Sequence, residues 1–116
     1  MRRICAGLPD VTEGSQMGSV VWRAGKRSFF MLYDYGKGLT AQFWVGIERQ
    51  GPLEMDPRLK ISRYLGHKGW MDLDLDDLDL ALTRNCRELR TFAIESYRHF
   101  ASRRASAALD ARLRVA

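Results

Sequence analysis

The feature that most constrains the fold is a long apolar stripe towards the end of the chain, which recurs at steps of three and four residues. Its members are Leu78, Leu82, Cys86, Leu89, Ala93, Tyr97 and Phe100. This spacing predicts one face of an amphipathic helix of about seven turns. Asp76 is a suitable N-cap for that helix, and Asp79 stands three residues after it. Leu75 and Leu80 have the spacing of a hydrophobic staple.

The chain before this helix has the composition of an antiparallel sheet. Branched and aromatic residues between Gly-containing turns predict four strands and are compatible with a fifth. The four are 20–24, 28–33, 39–45 and 70–75, and the fifth is 59–64. We interpret 14–18 as a loop. Gly51-Pro52 argues against a continuous helix over 46–57, although a short helical turn around this pair stays open.

Consecutive strands joined by short turns become antiparallel neighbours. We therefore predict an α+β fold of two layers, in which a mainly antiparallel sheet is covered on one face by N- and C-terminal helices. The N-terminal helix is a short one over Arg2–Leu8, ended by Pro9. A chain of 116 residues is long enough for one domain, which we assign to 1–101. The Ala-, Arg- and Ser-rich segment 102–116 is a basic tail or an extension of the long helix.

Composition excludes several classes of protein. With 46% hydrophobic and 28% charged residues the chain is not of the disordered class. No apolar run approaches the roughly 18 residues of a membrane span. The first residues lack the long apolar segment of a secretory signal, and Cys5 and Cys86 lack zinc-site spacing. We therefore expect a cytoplasmic protein with reduced, inert thiols and no membrane association. The sequence leaves the oligomeric state open, with a monomer favoured.

The net charge of +5 suggests an anionic partner, and the charge is unevenly distributed. Residues 1–70 and 84–116 each carry a net +5, whereas 71–83 carry five aspartates and no basic residue. Those aspartates are Asp72, Asp74, Asp76, Asp77 and Asp79. The first three match the start of a calcium-binding loop, but Asp77 stands where Gly is needed and Thr83 where Glu is needed. Carboxylates at a helix N-terminus are explained more simply by the helix dipole, so we predict no metal site.

Basic residues collect at predicted turns, beside aromatic ones. One group, or wing, consists of Arg23, Lys26, Arg27 and Lys37, and the other of Arg63, His67, Lys68 and Trp70. Lysine and arginine side chains neutralise phosphates, and an exposed aromatic ring stacks on a base. Turns also collect charge simply because they face solvent, and the residues alone leave both interpretations open.

Catalysis has little support in the sequence. There are two histidines, and no Ser/His/Asp set, Cys/His pair or phosphate-binding glycine loop is recognisable. His99 falls in the long helix, where we expect a surface position. We therefore predict a protein that is not an enzyme and has no cofactor.

Several segments, taken in order, resemble the MmcQ/YjbR family. These segments are Leu8–Gly14, Trp22–Lys26, Gly69–Leu73 and Glu95–Arg98. The similarity extends over roughly 2–100. It implies a frataxin-like (CyaY-like) fold and the DNA-binding function that is attached to the family's "double wing".

Two hypotheses on function follow. The first is a small, non-catalytic, cytoplasmic DNA-binding module that acts through the basic residues of the two wings. The alternative is a small-ligand or protein-interaction domain that uses an aromatic sheet face containing Trp22, Tyr33 and Trp44, provided that these side chains are exposed.

Overall fold

A computed structural model of the chain describes residues 5, 8–16, 19–34, 39–75 and 83–115. Within them lie six strands, three helices and one short 3₁₀ turn. The strands are β1 (Val11–Gln16), β2 (Ser19–Ala24), β3 (Arg27–Asp34), β4 (Leu39–Trp44), β5 (Leu59–Ile61) and β6 (Trp70–Asp74). The helices are α1 (Ile47–Glu54), α2 (Thr83–Phe100) and α3 (Arg103–Val115), and the 3₁₀ turn is Gly66–Lys68.

The six strands form one sheet in the order β1-β2-β3-β4-β6-β5. Every neighbouring pair is antiparallel. Because β6 lies between β4 and β5 and is antiparallel to both, β4 and β5 run in the same direction, and the chain must cross from one end of the sheet to the other between them. Helix α1 lies in that connection. The predicted α+β fold with a mainly antiparallel sheet is confirmed.

The core lies between one face of the sheet and helix α2. Phe30 and Phe43 are cross-strand neighbours with stacked rings, and Phe43 stacks in turn on Phe92 of α2 at 4.6 Å between centroids. Leu89 and Ala93 follow on the same helix face and are fully buried. Burying each large apolar side chain stabilises the fold by about 1.5–3 kcal/mol, so this aromatic column holds helix and sheet together.

One serine joins helix α2 to the backbone of the sheet. A bulge in the β2–β3 pairing leaves Phe29 without a partner on β2, and the β3–β4 ladder begins only at the next residue. The hydroxyl of Ser96 donates to the carbonyl of Phe29 at 2.5 Å and accepts the backbone N–H of Trp44 at 3.0 Å. The helix side chain thus replaces a missing ladder contact between the two strands.

One prediction about local structure was wrong, and one question that the sequence left open is answered. Segment 14–18 was interpreted as a loop, but residues 11–16 form edge strand β1, paired along its whole length with β2. No helix extends over the whole of 46–57, and the short helical stretch around Gly51-Pro52 that the sequence left open is present as α1, which includes Pro52. It is held by buried Gln50, whose amide donates to the carbonyls of Gly66 (2.7 Å) and Trp70 (3.1 Å). These tertiary contacts outweigh the one helical hydrogen bond that proline removes.

Both chain ends contribute to the same core. Helix α3 begins at a cap, in which the hydroxyl of Ser102 accepts the N–H of Ala105, so it is a separate helix after a break and not a continuation of α2. Ala105 and Leu109 belong to the core cluster, as do Cys5 and Leu8. Most of the predicted 2–8 helix lies outside the described residues, as do Asp76 and Asp79.

The described residues bear on membrane crossing and on thiol reactivity. Among them no helix is long and apolar enough to cross a membrane. Cys5 is a free, buried cysteine, and burial raises the pKa of its thiol to about 12, which makes it unreactive.

Candidate nucleic-acid interface

Topology brings two basic turns to the same end of the sheet. The β2–β3 turn lies where β2 ends and β3 begins. Strand β4 runs back to that end and stops at Trp44, which pairs with Trp70 at the start of β6. The segment 63–68, between β5 and β6, therefore lies at the same end as the β2–β3 turn. We call this end the basic end and define it by five exposed side chains: Lys26, Arg27, Arg63, His67 and Lys68.

Two glycines shape the middle of the basic end. The carbonyl of Gly69 accepts the N–H groups of Val45 and Gly46, at 2.9 and 3.0 Å. Gly46 and Gly69 have φ angles of 93° and 96°, which favour glycine. A Cβ on Gly69 would lie 2.8 Å from the Cα of Gly46 and 2.9 Å from the indole nitrogen of Trp44. The close contact between the backbones of Gly46 and Gly69 lets the indole nitrogen of Trp44 donate to the carbonyl of Lys68 at 3.0 Å.

A stacked pair of rings lies between the two basic turns. The imidazole of His99, near the end of α2, stacks on the indole of Trp44 with 3.5 Å between centroids and 6° between planes. Burial against its neighbours, together with nearby Arg27, lowers the pKa of His99. Trp44 ends β4, which lies between β3 and β6 in the sheet, and its indole is bonded to the carbonyl of Lys68. The pair is therefore placed between the two turns.

An exposed aromatic ring stands at the outer side of the basic end. Tyr64 has 73% of its surface exposed, and the guanidinium of Arg63 lies over its ring at 5.6 Å from the centroid. A tyrosine ring in this position combines a flat apolar surface with adjacent positive charge.

The structure brings together five of the eight predicted wing residues. Lys26, Arg27, Arg63, His67 and Lys68 are brought to one end. The side chain of Arg23 instead lies over the sheet, against Gly14 of β1. A Cβ placed on Gly14 would be 2.9 Å from the Nη1 atom of Arg23. Lys37 lies outside the described residues, and the strand ends that flank it are at the opposite end of the sheet. Trp70 was grouped with exposed residues but is only 5% exposed and packs on Phe100, so it offers no free face to a base.

Acidic groups at the basic end are few among the described residues. Glu95, one turn before His99 in α2, forms an ion pair with Arg49 of α1 at 2.6 Å, so these two charges offset each other. Glu48 is exposed in the first turn of α1, and exposed Asp10 lies beside the β2–β3 turn, where a Cβ on Gly25 would be 3.6 Å from its Oδ2. The cations of the two turns therefore outnumber the uncompensated carboxylates beside them.

The alternative hypothesis required exposed aromatic residues on a sheet face. Trp22 is 1% exposed and Tyr33 7%, so these two form no exposed aromatic surface. Tyr33 instead donates its hydroxyl to the carboxylate of Asp72 at 2.7 Å, and Gln42 and Ser62 also donate to that carboxylate. Of the aspartates considered as metal ligands, Asp72 is thus engaged with side chains of the sheet. No group of three or more His, Cys, Asp or Glu suited to a metal occurs in the described part of the chain.

Sequence reasoning did not assign three aromatic residues of this end to the wings. Tyr64 was not among the predicted site residues. Trp44 and His99 are far apart in the chain, and only the packing of α2 on the sheet brings their rings together. A cation next to an aromatic residue in a turn, as in Arg63-Tyr64, was the one local signal available.

Comparison with known proteins supports the fold. No family model matches the chain, and no curated protein matches it. The chain is similar in structure to Deinococcus radiodurans protein DR2400, whose crystal structure contains a DUF419 domain. The TM-score is 0.68 at 21% identity, and the match covers 83% of this chain and 72% of that one. DUF419 is related to the MmcQ/YjbR family.

Proposed function

We propose that this chain is a cytoplasmic member of the MmcQ/YjbR family that binds DNA without catalysis, through phosphate contacts made by the basic end. The observation that carries the proposal is the convergence of two basic turns, distant in sequence, at one end of the sheet. The resemblance in sequence motifs and the fold shared with a DUF419 domain support the family assignment.

The charges of the basic end set the expected salt dependence. If Lys26, Arg27, Arg63 and Lys68 each contact one phosphate, log K falls with log salt by a slope of about −3.6 for duplex DNA. Affinity then decreases about 150-fold between about 50 and about 200 mM salt. Binding of this kind depends on charge and position and carries no sequence information.

The test is fluorescence anisotropy with labelled duplex and single-stranded DNA at those two salt concentrations. The double variants Lys26→Gln/Arg27→Gln and Arg63→Gln/Lys68→Gln remove one basic turn each, and each is expected to reduce the slope for duplex by about 2.

The matched control removes two charges elsewhere on the surface. Arg87 and Arg90 are exposed on α2, 12 and nine residues before His99, which corresponds to about 18 and about 14 Å along the helix. The variant Arg87→Gln/Arg90→Gln should keep the wild-type slope. Absence of binding at low salt, or an equal loss in this control, would contradict the proposal.

A further inference from the structure

We propose that the basic end selects single-stranded nucleic acid, with a base stacked on the exposed ring of Tyr64. This inference rests on the proposed function and names the form of nucleic acid that the same site recognises.

The first argument is the setting of Tyr64. Its ring is 73% exposed, and it stands in the second basic turn, next to Arg63 and close in sequence to His67 and Lys68. The guanidinium of Arg63 lies over the ring without covering it. A flat exposed ring among cations is the arrangement by which proteins bind single strands, since the cations hold the phosphates and the ring receives a base.

The second argument is a further ring along the same end. His99 is exposed and is held flat against Trp44, on β4. The chain segment that leads to Tyr64 leaves the sheet from β5, which is two strands from β4 in the sheet order. Two strand spacings amount to about 10 Å. In the order of the sheet, Tyr64 and Lys68 precede β6, His99 lies against the end of β4, and Arg27 begins β3. We infer that a single strand crosses the end of the sheet in this order.

The third argument is the difference between duplex and single strand. In a duplex both faces of each base are covered by its stacked neighbours, so an aromatic side chain cannot stack without unpairing the helix. An unpaired base offers its face directly, and stacking of this kind tolerates any base. The ring of Tyr64 thus contributes to binding of a single strand and contributes little to binding of a duplex.

The experiment compares three labelled probes of about 12 nucleotides by anisotropy at low salt: oligothymidylate, a blunt duplex, and an abasic strand with the same phosphates. Wild type should bind oligothymidylate most tightly. Tyr64→Ala should weaken oligothymidylate binding roughly 5- to 150-fold and leave duplex and abasic binding unchanged. Tyr64→Phe, which keeps the ring, should retain wild-type affinity. Because Tyr64 is exposed, the melting temperature of each variant should match that of wild type.

Each outcome bears on a different statement. If oligothymidylate binds no more tightly than the duplex and Tyr64→Ala leaves its affinity unchanged, the inference on single strands is overturned, while salt-dependent binding still supports the proposed function. If Tyr64→Ala weakens all three probes equally, the ring acts on phosphate binding and the stacking inference is also overturned. If no probe binds at low salt, both the inference and the proposed function are overturned.

Discussion

Removal of the Ser96 hydroxyl tests how the basic end is held to the rest of the molecule. Ser96 is fully buried, and its hydroxyl connects the carbonyl of Phe29 on β3 with the N–H of Trp44 on β4. Ser96→Ala removes a single oxygen and leaves the packing volume nearly unchanged. It deprives one backbone acceptor and one backbone donor of their partner where water has little access.

The expected loss of stability follows from those two groups. A buried polar group left without a partner costs about 1–3 kcal/mol, so two of them predict a loss of about 2–6 kcal/mol in the free energy of unfolding. A domain of this kind is stable by about 5–15 kcal/mol in total, so the variant should lose a large fraction of its stability. With a urea dependence of about 2 kcal/mol per M, the midpoint of unfolding should fall by roughly 1–3 M.

Urea unfolding followed by far-ultraviolet circular dichroism measures this change. The matched control is Thr91→Ala, which removes an exposed hydroxyl on the same helix that bonds only to the carbonyl of Arg87. It should change stability by less than about 0.5 kcal/mol. Amide hydrogen exchange adds a local readout, since the Trp44 amide should lose protection in Ser96→Ala. If Ser96→Ala is as stable as the control, the bridge contributes nothing and the reasoning is refuted.

Four further predictions concern the packing and electrostatics of the described residues. Tyr97→Phe removes a buried hydroxyl that donates to a backbone carbonyl at 2.6 Å, and should lower the free energy of unfolding by about 1–2 kcal/mol in urea titration. Gly69→Ala introduces a Cβ 2.8 Å from a neighbouring backbone atom at a φ of 96°, and should destabilise by more than about 2 kcal/mol. Gly51→Ala, with open space around the new Cβ in a helix, should stabilise by about 0.5–1 kcal/mol. Arg27→Gln should raise the pKa of His99 in an NMR titration, because one cause of its lowered pKa is removed.

The direction of the pH effect follows from the same lowered pKa. The folded state favours the neutral imidazole of His99, so the resulting stability is complete above the ordinary histidine pKa of about 6.5 and is lost as the pH falls through the lower folded value. Arg27→Gln should therefore lose less stability on acidification than wild type. An unchanged His99 titration, or a Gly69→Ala variant as stable as Gly51→Ala, would contradict these expectations.

The sheet and the long helix were predictable because their residues repeat with the period of the structure. Ala41 and Phe43 alternate with more exposed neighbours in β4, and Leu89, Ala93 and Tyr97 recur along α2. Edge strand β1 was missed because its sequence, with a central Gly14, has little strand propensity of its own. Pairing with β2 determines its conformation, and pairing is not visible in local composition.

The individual cations of the site were predictable, and their surroundings were not. Charged residues in turns face solvent in most folds, so the exposure of Lys26 or Lys68 follows from local sequence. The burial of Trp70 depends on Phe100 of a helix distant in the chain, and the flat contact of His99 depends on the position of the last turn of α2. Aromatic side chains near a turn therefore carry no reliable signal of exposure.

Convergence of the two turns depends on helix α1, which the sequence left open as a short helical turn around Gly51-Pro52. In a sheet of consecutive hairpins the turns alternate between the two ends, so the turn after β5 would lie opposite the end at which β4 stops. Here α1 (Ile47–Glu54) lies in the connection that returns the chain to the far end before β5 begins, and β5 then runs in the same direction as β4. The segment 63–68 reaches the β2–β3 turn for this reason. Gln50, which fixes α1 to the carbonyls of Gly66 and Trp70, thus also fixes the second basic turn in place.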